Sequence, residues 1–200
     1  DAVGDVNGDG YADLLLGVMG NYGADGTQDV GGGLLYYGSS DGIGQDPDVT
    51  IVGEDWGDRL GEGAVGLGDI DDRGGDDFAL TSYVYDAGRG GVFVWLSAPT
   101  TAQVRSDADF SIVGEESEGL GFARTTSSGD LDADGVPDLV LGSRYDGDFR
   151  GTAYVLYGAL SPGNLGTVDA DVAIQNAQDT YFANASATGD LDGDGVDDLV

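Results

Sequence analysis

A nine-residue pattern that recurs four times constrains this chain more than any other feature. Asp5-Val-Asn7-Gly-Asp9-Gly-Tyr11-Ala-Asp13 reads D-x-[DN]-x-D-G-x-x-D and runs straight into Leu14-Leu15-Leu16-Gly17. Related segments begin at Asp69, Asp130 and Asp190, at spacings of 64, 61 and 60 residues. Those at Asp130 and Asp190 keep the whole pattern. The one at Asp69 keeps positions 1, 3, 6 and 9 and carries Arg73 at position 5. Self-similarity at a long fixed period marks a repeat architecture, in which each unit is one small supersecondary element that buries its faces against its neighbours.

The residues between the acidic loops read as strands. An apolar run follows each loop, at Leu14 to Val18, Phe78 to Tyr83 and Leu139 to Leu141. Glycine-led runs of β-branched and aromatic residues come next, at Gly33 to Gly38, Gly91 to Leu96 and Gly151 to Gly158. Short runs follow at Val49 to Val52, Phe110 to Val113 and Val172 to Ile174. Small-residue strands precede the later loops, at Ala64 to Leu67, Ala123 to Ser128 and Ala183 to Thr188. Helical periodicity is almost absent, and glycine, aspartate and asparagine punctuate the chain in place of proline. Four short antiparallel strands per period predict an all-β chain of β-propeller blades, with periods starting near residues 1, 60, 120 and 180. A stacked β-solenoid is the alternative, but its coils take far fewer residues than 60.

Charge is concentrated in those loops. The chain has 38 acidic residues against 7 arginines, no lysine, and a net charge of −31. Nucleic acid and an anionic membrane surface are disfavoured as partners, because binding either needs a cationic face, and without an apolar run of spanning length no membrane insertion is expected. Leu, Ile, Val and Phe still make up 48 of the 200 residues, above the roughly one-fifth below which high charge signals disorder. The absence of Cys and His removes disulfides, ordinary zinc sites and thiol or imidazole catalysis.

Oxygen-bearing side chains at positions 1, 3 and 5, glycine at 6, a carbonyl at 7 and a further carboxylate describe a loop wrapped around calcium, which takes six to eight oxygens. In an EF-hand the closing ligand is Glu at position 12. Here position 12 is Leu16 or Leu141, and the acid arrives at position 9 as Asp13, Asp138 and Asp198. No helix is expected on either side, so the loop is of β-hairpin type. The bland reading, that Asp-Gly tracts are surface turns, accounts poorly for three matching copies.

The loop, the Asp-Leu-[Leu/Val]-[Leu/Val]-Gly strand after it and the tyrosine-bearing strand bounded by glycine further on resemble FG-GAP repeats of integrin α-type β-propellers and their bacterial relatives. The name-giving Phe-Gly is degenerate, appearing as Leu60-Gly61, as Leu120-Gly121 before Phe122, and as Tyr181-Phe182. The resemblance implies three calcium sites. The first would use Asp5, Asn7, Asp9, the Tyr11 carbonyl and Asp13. The next would use Asp130, Asp132, Asp134, the Val136 carbonyl and Asp138. The last would use Asp190, Asp192, Asp194, the Val196 carbonyl and Asp198. Having one neutral amide among its ligands, the first is expected to bind calcium most weakly. At the Asp69 loop, Arg73 either folds inward as a counter-ion to Asp69, Asp71 and Asp77 or swings out and leaves a weakened site.

The same resemblance implies a non-catalytic, calcium-stabilised binding or adhesion module, secreted or on a cell surface. The alternative is an accessory propeller of a secreted hydrolase, phospholipase D-like or polysaccharide-active, with catalysis elsewhere. No catalytic residue is assigned. A protein or glycan ligand is expected on the face opposite the calcium loops, built from connectors at Met19 to Gly32, Val84 to Gly90, Ser143 to Arg150, Glu54 to Arg59 and Glu115 to Gly119. Trp56, Trp95 and the tyrosines Tyr36, Tyr37, Tyr154 and Tyr157 are expected to pack within and between blades. Asn184-Ala-Ser186 fits a glycosylation acceptor but falls in an expected strand. Four loops over about three periods, without initiator methionine, leader or apolar span, lead us to expect an internal segment of a larger propeller.

Overall fold

The computed structural model describes residues 1–20, 26, 28–121, 126–143, 150–158, 160, 163–175 and 188–200. Within them the chain folds into successive antiparallel meanders. The first joins β1 (Ala2–Gly4), β2 (Asp13–Val18), β3 (Gly32–Tyr36) and β4 (Val49–Val52) in chain order. The second joins β5 (Gly63–Gly68), β6 (Asp77–Ser82), β7 (Gly91–Trp95) and β9 (Phe110–Val113). The third joins β10 (Thr126–Gly129), β11 (Asp138–Ser143), β12 (Thr152–Leu156) and β14 (Val172–Gln175). A two-stranded pair, β15 (Thr188–Gly189) and β16 (Asp198–Leu199), follows. These are β-propeller blades, as expected.

Two further strands were not legible in the sequence. β8 (Gln103–Val104) pairs parallel with β4, and β13 (Asn164–Gly166) pairs parallel with β9. Each lies between the third and fourth strands of its own repeat and extends the outer edge of the sheet before. The first two sheets therefore have five strands.

Apolar residues alternate across each strand, so every sheet presents two faces. Phe78, Leu80, Phe93 and Trp95 of the second sheet pack against Val3, Leu15, Leu35 and Ile51 of the first. Ala79, Val92, Val94 and Ile112, on the other face, pack against Leu139, Leu141, Tyr154 and Leu156 of the third. The core is thus divided into layers between neighbouring sheets. β6, β7, β11 and β12 are buried at every position, whereas the outer strands β4 and β9 alternate between buried and half-buried. The first strands β1, β5, β10 and β15 are neighbours in turn. Glycine permits that approach: a Cβ on Gly66 would lie 2.7 Å from the Val3 Cα.

The aromatic expectations divide. Trp95 is buried and stacks on Phe78 with ring centroids 5.5 Å apart. Tyr154 is buried and donates its hydroxyl hydrogen to Glu118. Trp56, by contrast, is 77% exposed in a connector and packs in no core. Tyr157 is also exposed, because it follows β12 beyond the layer its neighbours fill. Phe122, Tyr181-Phe182, Asn184-Ala-Ser186 and most of the strands expected at 123–128 and 183–188 lie outside the described residues, as do parts of the connectors at 19–32 and 143–150.

Candidate metal centre

Each acidic loop links the first and second strands of a sheet, and all four are held by one scheme of side chain–backbone hydrogen bonds. The position-1 aspartate accepts from the backbone N–H groups of positions 5 and 6. These distances are 3.0 and 2.7 Å at Asp5, 3.0 and 2.8 Å at Asp69, 3.1 and 3.0 Å at Asp130, and 3.1 and 3.0 Å at Asp190. The position-3 side chains Asn7, Asp71, Asp132 and Asp192 accept from the same position-5 N–H. Asp9, Asp134 and Asp194 at position 5 accept from Tyr11, Val136 and Val196. Arg73 cannot accept, so this bond is missing from its loop. Glycine at position 6 has φ of +92, +85, +89 and +92 at Gly10, Gly74, Gly135 and Gly195, in the left-handed region glycine enters without steric cost.

The position-9 aspartate closes each loop. Asp13, Asp77, Asp138 and Asp198 accept the N–H of position 2 at 2.9, 2.9, 2.7 and 2.9 Å. In the first and third sheets the other oxygen accepts the N–H of Gly38 or Gly158, both at 2.7 Å, tying the loop to the end of the third strand. Asp77 lacks this second bond. Its Oδ1 is buried without a hydrogen-bond partner in a residue only 1% exposed. Burial, opposed by the Ile70 N–H and reinforced by Asp71, Asp69 and Asp76, pushes its carboxyl up to about 7. Burial also raises Asp13 and Asp138, against the two backbone bonds each receives.

Three sets of carboxylates converge so that one oxygen from each lies within 4.8 Å of the others: Asp69, Asp71 and Asp77; Asp130, Asp132 and Asp138; Asp190, Asp192 and Asp194. The loop expected to be degenerate is therefore as convergent as its neighbours. Arg73 pairs with Asp71 at 3.3 Å while its side chain remains 69% exposed. At the first loop the neutral Asn7 stands where the others have a carboxylate, and its Nδ2 donates to Asp9 at 3.1 Å. An all-oxygen donor set suits a hard divalent cation.

Position 8 holds residues that sequence reasoning missed. The Asp76 carboxylate accepts from the Asp5 N–H at 2.7 Å, and the Asp76 N–H donates to the Asp5 carbonyl at 2.9 Å. Asp197 repeats this exchange with Asp130, at 3.1 and 2.9 Å. These aspartates clamp one loop to the next. Between the second and third loops the position is Pro137, which has neither carboxylate nor N–H.

The far ends of the strands carry different chemistry. The connector after β6 includes a short turn at Tyr85–Gly88, with Asp86 and Ala87 left-handed. It walls a cavity of about 540 Å³ that also meets Arg89, Phe93, Arg105 and Leu165. Arg105 lies 4.7 Å from the centre of the Tyr85 ring.

Comparison with known proteins matches the FG-GAP repeat to residues 122–156. Integrin alpha-5 of Xenopus laevis is 30% identical over 144 residues, covering 70% of this chain and 14% of that protein. Integrin alpha-IIb of Homo sapiens is 30% identical over 148 residues, covering 71% and 14%. Integrin alpha-8 of Mus musculus is 30% identical over 148 residues, covering 70% and 14%. The chain thus spans about one-seventh of the length of these relatives.

Proposed function

Since the chain is an FG-GAP-repeat propeller segment of the integrin α type, we propose that it is a calcium-stabilised, non-catalytic binding module of an extracellular or cell-surface protein. The domain is one propeller segment over residues 1–200, with blade periods near 1, 60, 120 and 180. The observation that carries the calcium reading is the recurrence of one hydrogen-bonded loop that gathers three carboxylates within 4.8 Å in three of its copies.

Asp5, Asn7, Asp9, Asp13 and the Tyr11 carbonyl would hold one ion. Asp130, Asp132, Asp134, Asp138 and the Val136 carbonyl would hold another. Asp190, Asp192, Asp194, Asp198 and the Val196 carbonyl would hold a third. At the Asp69 loop, Asp69, Asp71 and Asp77 supply a weaker set beside Arg73. The ion's role is structural: it offsets repulsion among carboxylates that the backbone bonds already aim inward. Ligand recognition falls to the opposite ends of the strands, where the exposed Trp56 and the cavity beside Tyr85 and Arg105 lie.

Thermal melts in calcium and in chelator test the reading. Each site should add about 2.7 kcal/mol when free calcium is 100-fold above its dissociation constant. Asp130→Asn and Asp190→Asn should each remove part of the calcium-dependent rise in Tm. Equal melting temperatures in calcium and chelator would overturn the proposal.

A further inference from the structure

The four acidic loops are not equally joined to one another. The residue at position 8 of each later loop lies against the glycine that precedes position 1 of the loop before it. A Cβ on Gly4 would fall 2.0 Å from Asp76 Oδ2, and one on Gly129 would fall 2.7 Å from Asp197 Oδ2. One on Gly68 would fall 3.2 Å from Pro137 Cγ. The packing is therefore alike at all three junctions, but the polar link is not. Asp76 engages both backbone groups of Asp5, accepting from its N–H and donating to its carbonyl, and Asp197 does the same at Asp130. Pro137 can do neither for Asp69, because proline has no N–H and no carboxylate.

Each clamp joins residues of two candidate ion sites. Asp5 and Asp130 stand at position 1, and their carboxylates accept the N–H groups at positions 5 and 6 of their own loops. Asp76 and Asp197 stand directly before Asp77 and Asp198, which close the following loops through the N–H groups of Ile70 and Leu191. Whatever orders one loop therefore also fixes the backbone of the first ligand in the loop before it. Ordering that is shared in this way couples two sites without a larger movement, and the coupling acts equally in both directions. Repulsion between ions in neighbouring loops works the other way at every junction, so it does not distinguish Pro137 from the two aspartates.

We propose that the position-8 aspartates couple calcium binding in pairs, the Asp5 loop with the Asp69 loop and the Asp130 loop with the Asp190 loop, and that Pro137 separates the pairs. Asp76 and Asp197 are positioning residues, acting through the backbone of Asp5 and Asp130. The inference rests on calcium occupying these loops and goes beyond it in stating which loops fill together.

The test follows the amides of Gly10, Gly74, Gly135 and Gly195 by NMR as calcium is added to the full chain. Each donates to the position-1 aspartate of its own loop, so each reports one site. Asp130→Asn takes a ligand charge from the third loop and leaves the backbone groups that Asp197 holds. Calcium affinity at Gly195 should then fall by at least about fivefold, the lower end of ordinary coupling between sites. Affinity at Gly74, across the Pro137 junction, should not change.

Asp197→Pro copies the Pro137 junction, and in that background Asp130→Asn should no longer affect Gly195. In the Asp197→Asn background, where an acceptor and the N–H both remain, it still should. This comparison carries the test even if the Asp69 loop takes no calcium. Pro137→Asp should make Gly74 newly sensitive to Asp130→Asn. An equal fall at Gly74 and Gly195, no fall at Gly195, or a fall that survives Asp197→Pro would overturn the coupling and leave the calcium reading in place. No response to calcium from any of the four amides would overturn both.

Discussion

At Asp77, burial leaves one carboxylate oxygen without a donor, and the group titrates at about 7 in the fold against 3.8 for the free side chain. The folded state therefore binds more protons than the unfolded state between about pH 4 and about pH 7. Stability from this group is lost as pH rises through that window. Without metal, Asp77→Asn should raise Tm at pH 8, and its advantage should shrink to nothing by pH 4. In calcium the sign should reverse, because the variant lacks a ligand charge. Melts of both proteins at pH 4, 6 and 8, with and without chelator, check this; a pH-independent difference would show that Asp77 ionisation is not responsible. Asp77 was legible as a loop position from the D-x-[DN]-x-D-G-x-x-D spacing. Its missing partner was not, because a backbone N–H stands at the matching position in all three repeats, from Gly38, Ser97 and Gly158, and only the fold shows which of them reach the aspartate.

The elements show why some of the fold could be read and some could not. β2, β6 and β11 were legible because an apolar run directly follows an Asp-Gly loop, and such a run between turn signals has few alternatives. β8 and β13 were not, since Gln103–Val104 and Asn164–Gly166 are too short to alternate and become strands only through the edge they meet. Asp58 and Glu118 belong to connectors expected on the ligand face, Glu54 to Arg59 and Glu115 to Gly119; they are buried anchors for the next repeat. Asp76 and Asp197 stand at a position the loop pattern leaves unassigned, and their role emerges only when two loops sit side by side. Asp76→Ala removes the carboxylate that accepts from the Asp5 N–H and should cost about 1.5–3 kcal/mol, the range for a hydrogen bond to a charged group. Because the clamp positions Asp5, calcium binding at the first loop should weaken in the same variant. Urea denaturation and calorimetric titration measure the two effects separately; a loss of stability with unchanged calcium affinity would confine Asp76 to a packing role.

For the whole molecule, the sheets stack in series, and each apolar layer is shared by only two neighbours. The charge is not divided in this way. Three divalent ions would add six positive charges to the formal −31 and leave −25, so even the loaded protein repels itself. The loops and the remaining surface can be separated by salt, because screening acts over a Debye length that falls from about 30 Å at 0.01 M to about 10 Å at 0.1 M. Repulsion across the surface, acting over tens of ångströms, is relieved by that change. Repulsion among carboxylate oxygens within 4.8 Å of one another is hardly touched, because no screening cloud fits between them. In chelator, Tm should therefore rise as NaCl increases from 0.01 to 0.1 M and then level off below the value reached with calcium at low salt. Calcium should raise Tm at every salt concentration, and magnesium, which demands a tighter octahedral shell, should do so less. If 0.1 M NaCl restored the full calcium effect, the ion would be acting as general counter-charge and the loops would not be sites.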